Sequence, residues 1–206
     1  FGGSGDPSLL TAFGTYLGIK ASVKFKLKKD SLEGLSVSVQ GLGSVGMELV
    51  KYLSNDGMKI FAYDIDENLI TKAENEYGVT KIASDSIYDL DVDIYAPCAL
   101  GATMNDETIP KLKCSIVAGA ANNVLKDPKK HSEALMERGI LYAPDYAINA
   151  GGLINVYNEL EGYNRDRAFG QAEAIYDILM DIFYKSDKEN IPTNLASDRK
   201  AEERIG

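Results

Sequence analysis

The 206-residue sequence has one histidine, two cysteines, no tryptophan and no apolar run of the roughly 20 residues that a membrane-spanning helix needs. Cys98 and Cys114 are far apart and no histidine accompanies them at ligand spacing, so no metal site is predicted. Both cysteines lie in apolar stretches, which predicts buried thiols in a reducing cytoplasm and not a disulfide. His131 lies in a charged segment, 129–133, and is predicted to be a surface residue.

Positive charge is also scarce, because 22 lysines and arginines face 31 aspartates and glutamates, giving a net charge of −9. An acidic surface repels phosphate backbones, so neither nucleic acid nor a membrane is a predicted partner. Five early lysines follow a helical pattern and are interpreted as a solvated face: Lys20, Lys24, Lys26, Lys28 and Lys29.

The chain does not begin with methionine. Residues 1–7 resemble neither a signal peptide nor a natural start, which predicts that the chain is a fragment of a longer polypeptide. With no targeting signal and two reduced thiols, the predicted location is cytoplasmic.

Hydrophobic periodicity predicts one domain, 1–206, with a leading helix in 1–30, an alternating core in 31–150 and C-terminal helices in 151–206. Asp6 and Pro7 predict the start of a long amphipathic helix. Its predicted apolar stripe is Leu9, Phe13, Tyr16, Leu17, Val23 and Leu27.

Short strands and helices alternate through the core. Strands are predicted near 35–40, 58–63, 79–83, 92–96, 115–118 and 140–142, and helices near 44–55, 67–77, 129–138 and 149–160. Helices at 165–188 and 197–204 follow, separated by Pro192. This alternation predicts an α/β fold, a Rossmann-type doubly wound parallel sheet with flanking N- and C-terminal helices.

A G-x-G-x-x-G pattern, Gly41–Gly46, stands between a predicted strand and helix. Its first glycine permits a tight turn, its second admits a pyrophosphate to the backbone, and its third allows close packing of helix and strand. Asp64 ends the next strand at about the usual spacing of 20 residues, where its carboxylate can bind ribose hydroxyls and repel a 2′-phosphate. The pattern favours NAD over NADP; an FAD or other nucleotide site and an incidental glycine turn remain alternatives.

Small residues and asparagines follow three further predicted strands, at 96–99, 118–123 and 143–152. Asn122 and Asn149 are candidates to bind a carboxamide, a ribose or a substrate amine, although asparagine is equally a turn residue. Cys98 is not a predicted nucleophile, because no histidine lies in a plausible partner motif.

Together these segments resemble the leucine, phenylalanine and valine dehydrogenase branch of the glutamate dehydrogenase superfamily. The similar stretches are Gly3–Gly14, Gln40–Gly46, Ala96–Gly101, Ala118–Asn123, Ala143–Gly152 and Ala196–Ile205, in the family's order and spread over nearly the whole chain.

The resemblance implies NAD-dependent oxidative deamination of branched-chain L-amino acids (leucine, valine or isoleucine) to 2-oxo acids and ammonia. It implies the following cofactor-binding residues: Thr11, Gly41, Leu42, Gly43, Ser44, Val45, Gly46, Met47, Asp64, Ile65, Cys98, Ala99, Asn122 and Asn149. Thr11 would contact the nicotinamide carboxamide, and Leu153 and Val156 would contact the substrate side chain.

One departure from the family pattern limits this expectation. The family's catalytic lysine lies in a glycine-rich loop of an N-terminal domain, and no Gly-Gly-Gly-Lys-like segment occurs here. No catalytic residue is therefore predicted in this chain, and it is expected to bind cofactor without turnover. The implied partners are an amino-acid substrate, the N-terminal catalytic domain of the same polypeptide and further copies in a homo-oligomer.

Two other functional classes remain open. A stand-alone NAD-binding sensor or assembly module would need no catalytic partner. A hydroxyacid dehydrogenase typically places a catalytic histidine near the nicotinamide, and His131 is badly placed for that role.

Overall fold

The computed structural model describes residues 6–205. The glycines and serine at the start of the first family-like stretch, Gly3–Gly5, lie outside the described residues.

A six-stranded, all-parallel sheet forms the centre of the fold, in the order β3-β2-β1-β4-β5-β6. This arrangement confirms the predicted Rossmann-type fold. The strands are β1 (Ser36–Gln40), β2 (Lys59–Tyr63), β3 (Thr80–Lys81), β4 (Ile94–Pro97), β5 (Ile116–Val117) and β6 (Leu141–Tyr142). Strands β1 and β4 carry the most buried side chains, as expected for central strands covered on both faces.

Helices cover the sheet and connect its strands. They are α1 (Ser8–Leu27), α2 (Ser44–Asn55), α3 (Glu67–Tyr77), α4 (Pro128–Glu137), α5 (Asp145–Ile148), α6 (Gly151–Leu160), α7 (Arg165–Glu189) and α8 (Thr193–Ile205). Local sequence sets several of these boundaries. Asp66, Asp127 and Asn164 each accept a backbone N–H from the first turn that follows, and Gly78 ends α3 in the left-handed conformation.

The first helix begins as predicted, since Asp6 Oδ1 accepts the Ser8 N–H at 2.9 Å. Its predicted amphipathic character is wrong. Leu9 of the expected stripe is exposed, whereas Ala12 and Ser22 outside it are fully buried. The reason is that α1 packs against α2, α6 and α7 together, so more than one face is covered.

The last helix is longer than predicted, because it starts at Thr193, directly after Pro192. The Thr193 hydroxyl donates to the Tyr142 carbonyl oxygen at 2.6 Å, which attaches the start of α8 to β6. Among the described residues, 6–205, no helix combines the length and apolar character needed to cross a membrane.

The prediction of a surface His131 is wrong, because its side chain is buried. Its Nδ1 accepts the Asp127 N–H at 2.9 Å, and its Nε2 lies 3.3 Å from Asp106 Oδ1. The charged neighbours that suggested exposure, Lys129, Lys130 and Glu133, are themselves exposed. Cys114 is buried, as predicted, Cys98 is only partly buried, and both are free thiols.

Candidate functional site

The order of the strands reverses between β1 and β4, which lie side by side with Gln40 opposite Pro97. One crossover from β1 leads to β2 on one side, and the chain later returns to β4 on the other. In open parallel sheets this reversal leaves a crevice outside the carboxyl ends of the strands, where ligands bind. The glycine-rich turn and the loop after β4 both start there.

The glycine-rich turn has the backbone geometry that the sequence predicted. Gly41 has φ +100°, a conformation that other residues rarely adopt. A Cβ added to Gly46 would lie 2.1 Å from the Gly41 carbonyl oxygen, so only glycine lets α2 approach the turn this closely. Both glycines are therefore required by the protein's own backbone.

Gly43 differs from these two glycines, because an added Cβ would meet no atom within 4 Å. It forms the N-cap of α2, whose first turn has no side-chain cap and no acidic residue. The N–H groups of that first turn have no partner within the helix, and the helix dipole favours an anion in front of them. The open space at Gly43 and the N–H groups of the first turn are thus features typical of an anion-binding helix start.

Asp64 connects the end of β2 to this turn. Its Oδ2 accepts the Leu42 N–H at 2.6 Å, and its Oδ1 accepts the Asp66 N–H at 2.8 Å. Both oxygens retain a further lone pair, because a carboxylate oxygen can accept more than one hydrogen bond. The carboxylate is therefore fixed beside the glycine-rich turn with the capacity to accept further hydrogen bonds. Ile65, the next residue, is 89% exposed.

Several predicted residues line one cleft of about 510 Å³, which we call the switch-point cleft. Its predicted members are Thr11, Val45, Asn122, Asn149, Leu153 and Val156, and its further members are Ala120, Tyr146, Ala150 and Gly152. Residues distant in sequence, from α1, α2 and the loops after β5 and β6, therefore meet at one place.

The two candidate asparagines contact each other in this cleft. Asn149 Nδ2 donates to Asn122 Oδ1 at 2.6 Å and lies 3.3 Å from the Ala120 carbonyl oxygen. Asp145 supports this pairing, because its Oδ2 accepts the Val124 N–H at 2.9 Å and so connects α5 to the loop after β5. The amide groups are held in place before any ligand arrives.

A close approach of α6 to α1 brings Thr11 into the cleft. A Cβ on Gly151 would lie 2.2 Å from the Leu10 carbonyl oxygen, and one on Gly152 would lie 3.1 Å from Thr11 Oγ1. The Thr11 hydroxyl donates to the Pro7 carbonyl oxygen at 3.0 Å. The glycine pair therefore allows the start of α6 to pack directly on α1.

Cys98 and Ala99 form the opposite side of the glycine-rich turn. The Cys98 N–H donates to the Gln40 carbonyl oxygen at 2.8 Å, and Ala99 occupies the space that a Gly41 side chain would need. Burial raises the pKa of the Cys98 thiol to about 11, which keeps it protonated near neutral pH. Cys98 packs against the core and lacks the features of an activated nucleophile.

Leu153 and Val156 share one face of α6 and are 75% and 50% exposed. Apolar side chains so exposed in a cleft form a surface suited to an aliphatic ligand group. Within the part of the chain that the structure describes, no cluster of His, Cys, Asp or Glu side chains could hold a metal ion.

Tyr146 is the lining residue of greatest size that the sequence analysis missed. It precedes Asn149 by three residues and Ala150 by four, which is the spacing of one helical face. The short helix α5 was not predicted, and without it this spacing had no structural meaning.

Comparison with known proteins assigns this geometry to a family. Residues 63–197 match the model of the Glutamate/Leucine/Phenylalanine/Valine dehydrogenase family. The chain is 53% identical over 205 residues to leucine dehydrogenase of Thermoactinomyces intermedius and 44% identical over 210 residues to phenylalanine dehydrogenase of Lysinibacillus sphaericus. It covers 56% and 55% of those proteins, while each alignment covers 100% of this chain.

Among solved structures, the crystal structure of L-tryptophan dehydrogenase from Nostoc punctiforme superposes with a TM-score of 0.95 at 47% sequence identity. The match covers 97% of this chain and 60% of the other. The chain thus spans a little more than half the length of the relatives it matches.

Proposed function

This chain belongs to the Glutamate/Leucine/Phenylalanine/Valine dehydrogenase family, and from that membership we propose that it is the NAD-binding, C-terminal domain of an amino-acid dehydrogenase of the leucine type. The observation that carries the proposal is the glycine-rich turn, Gly41–Gly46, with open space at Gly43 and the fixed Asp64 carboxylate beside it. Relatives named for three different substrates are 44–53% identical to this chain, so family membership alone does not identify the amino-acid substrate.

The adenosine end of the dinucleotide lies at the turn in this proposal. Backbone N–H groups at the start of α2, within Ser44–Gly46, donate to the diphosphate, and Leu42 is held beside them by its bond to Asp64. Met47 completes this first turn, with its own N–H donated to the Gly43 carbonyl oxygen at 2.9 Å. Asp64 accepts the ribose hydroxyls, and Ile65 packs beside the adenosine. A 2′-phosphate would meet the same carboxylate and be repelled, which is the physical basis for choosing NAD over NADP.

The nicotinamide end lies in the switch-point cleft. Thr11, Asn122 and Asn149 supply hydroxyl and amide groups for the carboxamide and the ribose. Cys98 and Ala99 line the ring, where a small residue and a neutral thiol allow close approach. When bound, NAD would supply the hydride acceptor for oxidation at the substrate's α-carbon, and the residues of this chain would bind and orient it.

Leu153 and Val156 contact the substrate side chain in the proposal. Both are aliphatic, which suits leucine, valine or isoleucine. A pocket of this type discriminates between substrates that differ by one methylene by only about 1–3 kcal/mol, so several branched-chain substrates are expected to react.

The catalytic base comes from elsewhere in this proposal. An N-terminal catalytic domain of the same polypeptide supplies a lysine and covers the open side of the cleft, and the whole protein forms a homo-oligomer in the cytoplasm. The shorter length of this chain relative to its matches supports a partner domain. The chain alone is expected to bind NAD without oxidising an amino acid.

Titration calorimetry of the chain with NAD and NADP tests the cofactor assignment. Asp64→Ala removes charge-assisted hydrogen bonds worth about 1.5–3 kcal/mol each, so NAD affinity should fall at least about tenfold. Asp66→Ala is the matched control, because Asp66 caps α3 and does not contact the turn. Unchanged NAD affinity in Asp64→Ala would remove the ribose assignment.

A second measurement tests whether the catalytic base lies outside this chain. The full-length protein should reduce NAD in a leucine-dependent reaction, and the isolated chain should not. Turnover by the isolated chain would contradict the assignment of the base to another domain. An inactive full-length protein that still binds NAD would favour the sensor or assembly module.

A further inference from the structure

Tyr146 lies between the switch-point cleft and the C-terminal helix α8. Its ring lines the switch-point cleft together with Leu153 and Val156. The same side chain lines a second cavity between α5, α7 and α8, with Ile178 and Ser197. One residue thus contacts both the proposed substrate surface and the C-terminal helix.

Tyr146 enters the cleft from α5, directly before the turn that leads into α6. Asn149 follows it by three residues, and Ala150, Leu153 and Val156 are spaced three residues apart from that turn into α6. All five residues line the cleft. The aromatic ring therefore forms the α5 end of the apolar surface that Leu153 and Val156 continue.

The hydroxyl group of Tyr146 is anchored outside the cleft. It lies 2.9 Å from Asp198 Oδ1 and 3.1 Å from the Asn194 carbonyl oxygen, both in α8. Both partners are acceptors, so the hydroxyl donates its single proton to this pair. Burial raises the pKa of Tyr146, and the neighbouring Asp198 raises it further, so the donor stays protonated throughout the physiological range.

The base of this anchor is itself fixed to the sheet. The Thr193 hydroxyl donates to the Tyr142 carbonyl oxygen at 2.6 Å, and Asn194 Nδ2 donates to the Pro128 carbonyl oxygen at 3.1 Å. These bonds hold the start of α8 against β6 and α4. A half-exposed tyrosine on a surface normally samples several rotamers, but this one is held at its far end.

We propose that Tyr146 is a specificity-determining residue of the substrate side-chain pocket, and that α8 fixes the position of its ring through Asp198. The inference rests on the proposed function, since it places the amino-acid side chain against Leu153 and Val156. The ring limits the pocket at its α5 end and favours branched aliphatic over larger aromatic side chains.

The test uses the full-length protein, with kcat and KM measured for valine, leucine and phenylalanine and NAD affinity measured separately. Tyr146→Ala opens the α5 end, so kcat/KM for phenylalanine relative to valine should rise at least about tenfold, a discrimination typical of changed pocket size. Tyr146→Phe keeps the ring, and the same ratio should change less than threefold. Asp198→Ala, which lies outside the cleft, should shift the ratio in the same direction by a smaller factor.

Tyr184→Ala is the matched control, because Tyr184 is similarly exposed but packs against Phe25 on α1, away from the cleft. It should leave the ratio of substrates unchanged. A ratio unaltered in Tyr146→Ala, or altered equally in Tyr184→Ala, would overturn the inference while leaving the proposed function intact. If Tyr146→Ala does not fold, an unshifted ratio in Asp198→Ala overturns it. Wild-type protein that oxidises no amino acid would overturn the proposed function and this inference with it.

Discussion

The two ends of the candidate site differ in how completely the chain itself builds them. Around the glycine-rich turn, Leu42 is fully buried and Gly41 and Gly46 are fixed by backbone contacts. At the other end, on α6, Leu153 is 75% exposed and Leu160 is 81% exposed. The turn is fully packed by residues of this chain, whereas the apolar surface of α6 is exposed.

This difference separates two kinds of function within one domain. A diphosphate site needs backbone N–H groups at a helix start, which a single strand-turn-helix unit provides. A pocket for an aliphatic side chain needs walls on several sides, and among the described residues Leu153 and Val156 of the cleft remain 75% and 50% exposed. Cofactor binding is therefore expected to be a property of this chain, and substrate selection a property of the whole protein.

Replacing one leucine at each end should give the largest difference, measured in the free energy of unfolding. Leu42→Ala removes a fully buried side chain and should lower the free energy of unfolding by about 2–5 kcal/mol. Leu153→Ala removes an exposed one and should change it by less than about 0.5 kcal/mol. Urea denaturation of the isolated chain measures both. Similar losses would show that α6 contributes to the core as much as the turn does.

Substitutions of two glycines in the turn should affect protein stability and NAD binding differently. Gly46→Ala places a methyl group against the Gly41 carbonyl oxygen and should cost about 1–3 kcal/mol of stability, with loss of NAD binding. Gly43→Ala adds a methyl group into open space, so stability should be unchanged while the diphosphate loses its room. Thermal melting with and without NAD measures both effects. Undiminished NAD binding in Gly43→Ala would show that the space before α2 is not the diphosphate site.

The paired asparagines should give a smaller effect at the nicotinamide end. Asn149→Ala removes the amide held by Asn122, and NAD affinity in calorimetry should fall about tenfold, since one or two neutral hydrogen bonds are lost. Asn155→Ala, which removes a buried amide outside the cleft lining, is the control for a general loss of stability. Equal losses of NAD affinity in the two variants would assign the effect to that loss of stability.

We expect the smallest effect at the two cysteines, where the measured quantity is the rate of thiol alkylation. Burial raises the pKa of Cys98 and of Cys114 to about 11, so reaction with iodoacetamide should be slow at pH 8 and rise about tenfold per pH unit up to that value. Cys98, which is partly exposed, should react before buried Cys114 and should be protected by NAD. Fast labelling of Cys98 at pH 7, detected by mass spectrometry, would contradict its neutral state.

Local signals predicted much of the fold. Helices α2 and α3 occupy the predicted ranges, because a glycine turn and an Asp66 cap mark their starts. The failures have tertiary causes. The amphipathic pattern of α1 was wrong because several helices surround it. The exposure of His131 was wrong because its side chain is buried among tertiary contacts, including one between its Nε2 and Asp106, which is distant in sequence.

The site was predictable only in part for the same reason. Strand ends followed by glycine or asparagine indicated Gly43, Asn122 and Asn149, since parallel strands bring their carboxyl ends to one edge. Tyr146 gave no such signal, because its importance depends on α8 lying beside α5. Nothing local in the sequence indicates that Asp198, 52 residues later, accepts its hydroxyl group.

A crystal structure of this chain soaked with NAD tests the central claim most directly. The account predicts the diphosphate against the backbone N–H groups at the start of α2 and the adenosine ribose hydroxyls on the Asp64 carboxylate. A dinucleotide bound elsewhere, or a glycine-rich turn without density at saturating NAD, would contradict it.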